Sequence, residues 1–316
     1  MKTKAFIYII VAGILWGTSG IFVHFLTPYG FSTMQMTAMR GLVSFVGMSI
    51  YAALSDKKLF KIKPKDLLFF VPIGITLFSS AYFYYTSMTL TSVSTAVVLM
   101  YMAPVYVMIF SVIFLKENFS ALKLVSLIAM LIGCCLVSGI IGGIALNAIG
   151  ILLGFLSGVS YATYNIVTKI ALKGGRNAVS ASVYSFLVMA IISLSIANPV
   201  SIADKAMENP WPAIPLLIGL GIVTFVIPYF LYTLAMRDLP AGTASALGIV
   251  EPMAATVFSV LFLGEELKLL PLFGIVLILG SVFLLGHAEG KSDKEEETLN
   301  KILTHKSHSN RKDTPL

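Results

Sequence analysis

Read in windows of about 19 residues, the chain alternates long apolar runs with short polar breaks. The runs fall at 5–25, 32–54, 67–86, 93–115, 122–138, 148–168, 178–197, 213–236, 241–263 and 269–287. Each is long enough, at about 1.5 Å per residue, to cross about 30 Å of hydrocarbon as a helix. A membrane β-barrel would show segments of about ten residues with alternating polarity, and the runs carry no such alternation. The pattern therefore predicts an all-α integral membrane protein with ten transmembrane helices. The first run follows Lys2 and Lys4 in the manner of a signal peptide, but it is long and leads directly into a second apolar run, so it reads as a retained helix.

Composition supports this. Of 316 residues, 57% are hydrophobic and 12% charged, with a mean hydropathy of +0.91. A soluble domain carries about 25% charged residues, and half that proportion cannot cover a globule in water. A soluble enzyme and a disordered chain are excluded, as is a disulfide-stapled domain, because Cys134 and Cys135 are adjacent and are the only cysteines. Cys134-Cys135 reads as packing, not as a redox or metal site.

The net charge of +7 acquires a meaning once the spans are drawn. With the N-terminus in the cytoplasm, 13 lysines and arginines fall in cytoplasmic segments, five of them at Lys57, Lys58, Lys61, Lys63 and Lys65, whereas the opposite loops carry only Lys205 and Lys268. This asymmetry is a positive-inside signal. It places both termini in the cytoplasm and makes the excess charge a record of orientation in the cell membrane, with no nucleic acid implied.

The chain also repeats. A shift of 148 lays 82–136 on 230–284 with 16 identities in 55 positions, among them Thr95/Thr243, Pro104/Pro252, Phe110/Phe258, Ser111/Ser259 and Glu117/Glu265. Residues 1–143 and 144–288 thus read as two five-helix repeats, and 289–316 as a disordered cytoplasmic tail, polar and with no net charge. Five is odd, so the second repeat must cross the membrane in the opposite sense to the first.

These residues resemble the EamA family of the drug/metabolite transporter superfamily. The resemblance is carried by Trp16-Gly17, Arg40, Ala103-Pro104, Glu251-Pro252 and the Leu-x-Glu turns at Leu115-Lys116-Glu117 and Leu263-Gly264-Glu265, and it covers about residues 5–287. It implies two inverted five-helix bundles around a central cavity, lined mainly by the first, third and fourth helices of each repeat. It also implies movement of small organic solutes: amino acids and related metabolites outward in many members, sugars, nucleotide derivatives or quaternary amines in others.

The residues themselves point the same way. An inverted repeat suits alternating access, because two near-equivalent halves can rock about a central site. The chain contains no G-x-x-x-x-G-K-[ST], so it does not itself hydrolyse ATP, and no H-E-x-x-H or intramembrane histidine cluster, so neither an enzyme nor a metal or cofactor site is expected. Any uphill transport must draw on an ion gradient.

Two strong charges lie well inside the hydrocarbon, Arg40 and Glu251. Each costs about 2.5–3.5 kcal/mol on insertion scales, so neither should face lipid. Glu251 is open between a proton or substrate-ammonium partner and a structural carboxylate beside Pro252; Arg40 reads as a structural bundle contact. Pro104, Pro228 and Pro252 cannot donate a backbone hydrogen bond and can free the carbonyls of Met100, Thr224 and Gly248. The related pair Pro104 and Pro252 is expected to kink helices at the cavity and to turn carbonyls toward the substrate path. Among polar aromatics, Trp16, Tyr101 and Tyr161 with Asn165 are near mid-span and are the favoured cavity residues, ahead of Tyr82, Tyr85, Tyr164 and Tyr229. Gly13, Gly17 and Gly20 form a small-residue stripe that suits a close helix contact.

A mostly neutral cavity with one acid suits zwitterionic amino acids and amines better than dianionic phosphates, which need more than Arg40 as a basic partner. The expected function is secondary transport, by alternating access, of an amino acid or related metabolite, with export the expected direction and proton coupling an option. A quaternary-amine or choline-type permease and a lipid-handling or assembly partner without solute flux remain the alternatives. The expected partners are a small-molecule substrate, the lipid bilayer and protons.

Overall fold

The computed structural model describes residues 2–117, 120–138, 147–264, 266 and 269–310. Ten helices are long and apolar enough to cross a membrane; they run Lys2–Tyr29, Thr33–Ser55, Pro64–Leu90, Thr95–Leu115, Ala121–Ser138, Ala148–Lys173, Ala178–Ala197, Pro210–Asp238, Ala241–Leu263 and Leu269–Glu289, and are called spans one to ten. Among the described residues there is no strand.

Several spans are interrupted where the sequence weakens the helix. Span one breaks at Thr18, whose hydroxyl donates to the Leu15 carbonyl at 2.7 Å. Span four breaks at Met102, two residues before Pro104, and span nine breaks at Gly248-Ile249 before Pro252. The missing proline N–H lets the chain restart in a new direction. Span eight carries a π-helical segment at Ile222–Val226, directly ahead of Pro228.

Helix packing exposes the repeat. Span three lies against span six and span one against span eight; span three also meets span seven, as span eight meets span two. Spans four and six, and spans nine and one, form another matched couple. Spans five and ten pack on each other, as do spans two and seven. Exchanging the first five helices for the last five maps this set of contacts onto itself, as two five-helix repeats related by a two-fold axis require.

Small residues set these contacts. A Cβ on Gly74 would stand 2.5 Å from the Ser185 carbonyl oxygen and 2.6 Å from the Val188 Cβ, so spans three and seven touch backbone to side chain there. Between spans three and six, Ser80 and Ser157 each donate a hydroxyl to the other's carbonyl, at 3.2 and 2.9 Å, and Ser87 donates to Gly150 at 2.7 Å. In the glycine stripe of span one, Gly17 lies where a Cβ would be 2.7 Å from Ala254 and Gly13 lies 3.2 Å from Val250 in the same sense, whereas Gly20 faces open space.

The two Leu-x-Glu turns share one geometry. Lys116 and Gly264, related by the 148-residue shift, both close their helices in the left-handed region at φ 53° and 70°, and their N–H groups donate to Ser111 and Ser259. In the first turn Glu117 accepts the N–H of Ala241 at 3.1 Å and so caps span nine. Glu265 lies outside the described residues.

Two features depart from the sequence expectation. The loop after span seven forms a helix, Pro199–Glu208, whose Lys205 donates to the Gly30 carbonyl at 2.6 Å and to Gln35 at 3.0 Å. The stretch expected to be a disordered tail continues the last helix as far as Asn310. Lys, Glu and Leu are strong helix formers, and no proline occurs in it before Pro315. Glu289, assigned to the solvated tail, is buried instead because it pairs with Lys123 at 2.8 Å. Residues 311–316 lie outside the described residues.

Gly74→Val is expected to force spans three and seven apart and cost about 1–3 kcal/mol, as overpacking does, whereas Gly20→Ala leaves stability unchanged or slightly higher. Thermal unfolding of the detergent-purified variants checks this, and equal midpoints for the two would contradict the packing scheme.

Candidate functional site

A cavity of about 440 Å³ lies at the junction of the two repeats. Its wall draws on spans one to five and eight and nine, with Tyr161 from span six. It extends from mid-bundle, at Glu251, Tyr101 and Tyr229, toward the bundle end remote from Lys2, where Val23, Thr33 and Met88 line it.

The helix breaks place the residues that matter. The Met102 and Gly248-Ile249 breaks bring Pro104 and Pro252 into the wall, with Tyr101 and Glu251 beside them. The carbonyls expected to face the substrate path are used otherwise. Gly248 accepts the N–H of Glu251 at 3.0 Å, closing its own turn. The Leu99 and Met100 carbonyls lie against Gly158 of span six, 3.1 and 3.4 Å from where its Cβ would stand. In span eight the Thr224 hydroxyl, itself in the cavity wall, donates to Leu220 at 2.6 Å. Pro104 and Pro252 thus shape the wall, and the Gly248 carbonyl is taken up within its own helix turn.

Aromatic rings make the deep end. Trp16 meets Tyr229 edge-on at 5.0 Å and Tyr232 at 5.5 Å, and Tyr229 packs on Phe225 at 4.2 Å. The indole Nε1 of Trp16 and the hydroxyl of Ser245, both from wall residues, have no hydrogen-bond partner. The Tyr101 hydroxyl is directed at the Glu251 carboxylate. Arg40 is also in the wall and is 8% exposed; its Nη1 donates to the Tyr85 hydroxyl at 2.7 Å. Among the described residues no ion pair joins Arg40 to Glu251 or to any other acid.

Of the residues singled out from the sequence, Trp16, Arg40, Tyr85, Tyr101, Pro104, Tyr161, Glu251 and Pro252 therefore meet around one space. Tyr82, Tyr164 and Asn165 do not. Tyr82 is 40% exposed and stacks on Phe78, on the outer side of span three. The cavity face of that helix runs Leu77, Ser80, Ala81, Tyr84, Tyr85, Met88, a three-and-four spacing. Tyr82, three residues before Tyr85, falls on a neighbouring stripe, whereas Tyr84, absent from the sequence candidates, has the right phase. Tyr164 and Asn165 lie one turn beyond Tyr161, below the cavity. Asn165 is fully buried, donates to the Tyr161 carbonyl at 2.8 Å and accepts the Tyr232 hydroxyl, so its amide holds helices together. Tyr229, ranked below the mid-span candidates, lines the wall because the π-helical turn ahead of Pro228 rotates it inward.

Polar contacts cross the bundle end that carries Lys2. Lys123 and Glu289 form a buried ion pair at 2.8 Å, Thr243 donates to the same carboxylate at 2.8 Å, and Lys2 lies 3.7 Å from it. The buried Lys169 ammonium donates to the carbonyls of Met236 and Leu239, the latter at 2.6 Å, where span eight ends. Arg176 pairs with Asp66 at 3.1 Å and covers the ring of Phe69. These contacts tie spans three, five, six, eight, nine and ten to their neighbours at this end.

The model of the EamA-like transporter family matches residues 3–139 and 148–286. An uncharacterized transporter of Clostridium kluyveri is 27% identical over 312 residues, covering 95% of this chain and 97% of that protein. An uncharacterized transporter of Archaeoglobus fulgidus is 27% identical over 278 residues, covering 87% and 94%. The uncharacterized transporter YwfM of Bacillus subtilis is 23% identical over 294 residues, covering 92% and 96%. A solved structure titled only as the crystal structure of a protein shares the fold, with a TM-score of 0.71 at 17% identity over 90% of this chain and 96% of that one.

Asn165→Ala strands the buried Tyr232 hydroxyl and should cost about 1–3 kcal/mol of stability without altering ligand binding in the cavity. Thermal unfolding with and without a bound solute checks this. Unchanged stability with weakened binding would return Asn165 to the cavity wall.

Proposed function

This chain belongs to the EamA-like transporter family, and on that footing we propose that it is a secondary transporter that moves an amino acid or related metabolite outward across the cytoplasmic membrane by alternating access, in exchange for protons carried on Glu251. That it is a multi-pass membrane transporter rests on family and fold together. The solute class, the direction and the coupling are the proposal.

The observation that carries it is a cavity at the repeat junction that extends toward one bundle end, with Glu251 at its floor and polar contacts crossing the other end, which the proposal reads as a closed gate. Two repeats with matched helix contacts can exchange roles at small energetic difference, which opens the gated end and closes the other. The lysine-rich loops support a cytoplasmic Lys2 end, and on that orientation this conformation reads as the outward-facing one. The proposed gate is made of ion pairs and hydrogen bonds, which exchange their partners for water when they separate.

Glu251 suits the coupling step because it sits at the break of span nine, partly open to the cavity and directed at Tyr101. A carboxylate there takes up a proton from outside as solute leaves, and gives it up inside as the next solute arrives. Electrical neutrality in a low-dielectric cavity makes the two events exclusive. Aromatic walls from Trp16, Tyr161 and Tyr229 favour a solute with an apolar or aromatic body.

Glu251→Gln in proteoliposomes is expected to abolish solute movement driven by a pH gradient while leaving exchange of labelled for unlabelled solute measurable. Wild-type transport indifferent to the gradient would remove proton coupling. Lys123→Ala removes the nearest cation from the buried Glu289 carboxylate and leaves it the Thr243 hydroxyl and Lys2 at 3.7 Å, a loss of about 1–3 kcal/mol to this state. Maleimide labelling of a Thr256→Cys reporter in a chain lacking Cys134 and Cys135 should then slow about tenfold from the outside. An unchanged rate in the folded variant would refute the gate.

A further inference from the structure

We infer that Arg40 is the anion subsite of the cavity, and that its missing counter-ion is the carboxylate of the transported solute. The inference rests on the transporter reading and deepens it: the solute is a zwitterion, held by Arg40 at one end and by Glu251 at the other.

Arg40 is more than nine-tenths buried, yet only Nη1 has a partner, the neutral hydroxyl of Tyr85 at 2.7 Å. Its Nε and Nη2 are buried without any hydrogen bond, and among the described residues no acid lies within 4.0 Å. A structural arginine in hydrocarbon is normally paired with an acid or with several carbonyls, since an isolated buried cation is among the most costly groups a membrane protein holds. The span-two helix offers a partner to neither free nitrogen. A charge left uncompensated at the wall of a cavity at the repeat junction fits a site completed by what enters the cavity.

The chemistry of the free edge narrows the class. Nε and Nη2 lie on the same side of the guanidinium plane's outline and form the side-on fork that takes two oxygens of one carboxylate. Tyr85 occupies the remaining nitrogen and fixes the rotation of the group; the fork itself is covered in this conformation, so a carboxylate reaches it once the wall side chains over it move aside. One arginine balances one negative charge, which a monocarboxylate carries and a phosphate dianion exceeds. Glu251 supplies the opposite charge in the same cavity without touching Arg40, so the two charges are free to bind the two ends of one molecule. Between them the wall is apolar and aromatic at Trp16, Phe225 and Tyr229, and the volume of about 440 Å³ falls within the range of small-molecule sites. An α-amino acid with a large apolar side chain meets all these conditions. Arg40 is then a binding residue, and Tyr85 a positioning residue acting through it.

The test compares three forms of each solute skeleton: L-phenylalanine and L-leucine, their carboxamides, and phenethylamine and isopentylamine, which lack the carboxylate. Apparent affinity is read from ligand-dependent thermal stabilisation of the full chain in detergent, and flux from proteoliposomes. The wild type should bind the amino acids at least about tenfold more tightly than the amides or amines. Arg40→Gln should weaken amino-acid binding about 10- to 100-fold while changing amine binding less than about threefold. Arg40→Lys keeps the charge but loses the fork and should give an intermediate loss. Tyr85→Phe should reproduce a smaller loss confined to the amino acids, and it serves as the second variant if Arg40→Gln does not fold. Equal weakening of amino acids and amines, or unchanged amino-acid affinity in a folded Arg40→Gln, overturns the inference. Flux of amines or other solutes without preference for a carboxylate overturns it while leaving the transporter reading in place; absence of flux for every solute removes both.

Discussion

Helices in lipid gain nothing by hiding apolar surface from one another, because hydrocarbon chains are as apolar as leucine. What this bundle depends on is therefore close approach. Gly74 against Ser185, Gly17 against Ala254 and the reciprocal hydroxyl bonds of Ser80 and Ser157 bring backbones near enough for dispersion and hydrogen bonding to hold them. Larger residues point outward instead: Leu54 and Phe283 are 83% and 79% exposed in the protein alone, on surfaces that meet lipid. The glycines and serines thus fix which helices are neighbours, and the neighbours fix where a cavity is left.

Near-symmetry and its violation do different work. The paired breaks at Met102 and Gly248-Ile249, and the paired left-handed turns at Lys116 and Gly264, show both repeats built on one plan. That plan makes the two ends of the bundle interchangeable in principle. The ion pair of Lys123 with Glu289 and the ammonium of Lys169 on the Met236 and Leu239 carbonyls belong to one end only. Lys123 corresponds to Pro271 under the 148-residue shift, so the second repeat has no equivalent cation. Those unmatched side chains distinguish the two ends of an otherwise repeated plan.

The cavity follows the same economy. A bilayer interior tolerates charge only where protein or ligand completes it. Glu251 and Arg40 share one space without pairing, and Tyr101 and Tyr85 attend one each. Charges that satisfied each other would make a stable strut and an inert hole. Held apart, they leave work for a solute.

The ten spans, the two repeats and the membrane setting were legible because hydrophobic length and period are properties of short windows of chain. Trp16, Tyr101, Tyr161, Glu251 and the two prolines were legible as cavity residues because polar groups in a hydrocarbon run have few places to go. Rotational phase was not: a three-residue spacing is shared by two adjacent stripes of a helix, so Tyr82 was grouped with Tyr85 while Tyr84 was passed over, and Asn165 looked like a ligand until Tyr232 from a span 67 residues away took its oxygen. Arg40 reads from the sequence as a structural contact, and which groups stand near its guanidinium is a fact about every other helix. The amino-acid order alone settles how many helices there are and what each must hide, because those demands are local. Which atoms meet across the bundle, and which charge is left without a partner, depends on helix rotation, and that is set by small-residue contacts between segments far apart in the chain.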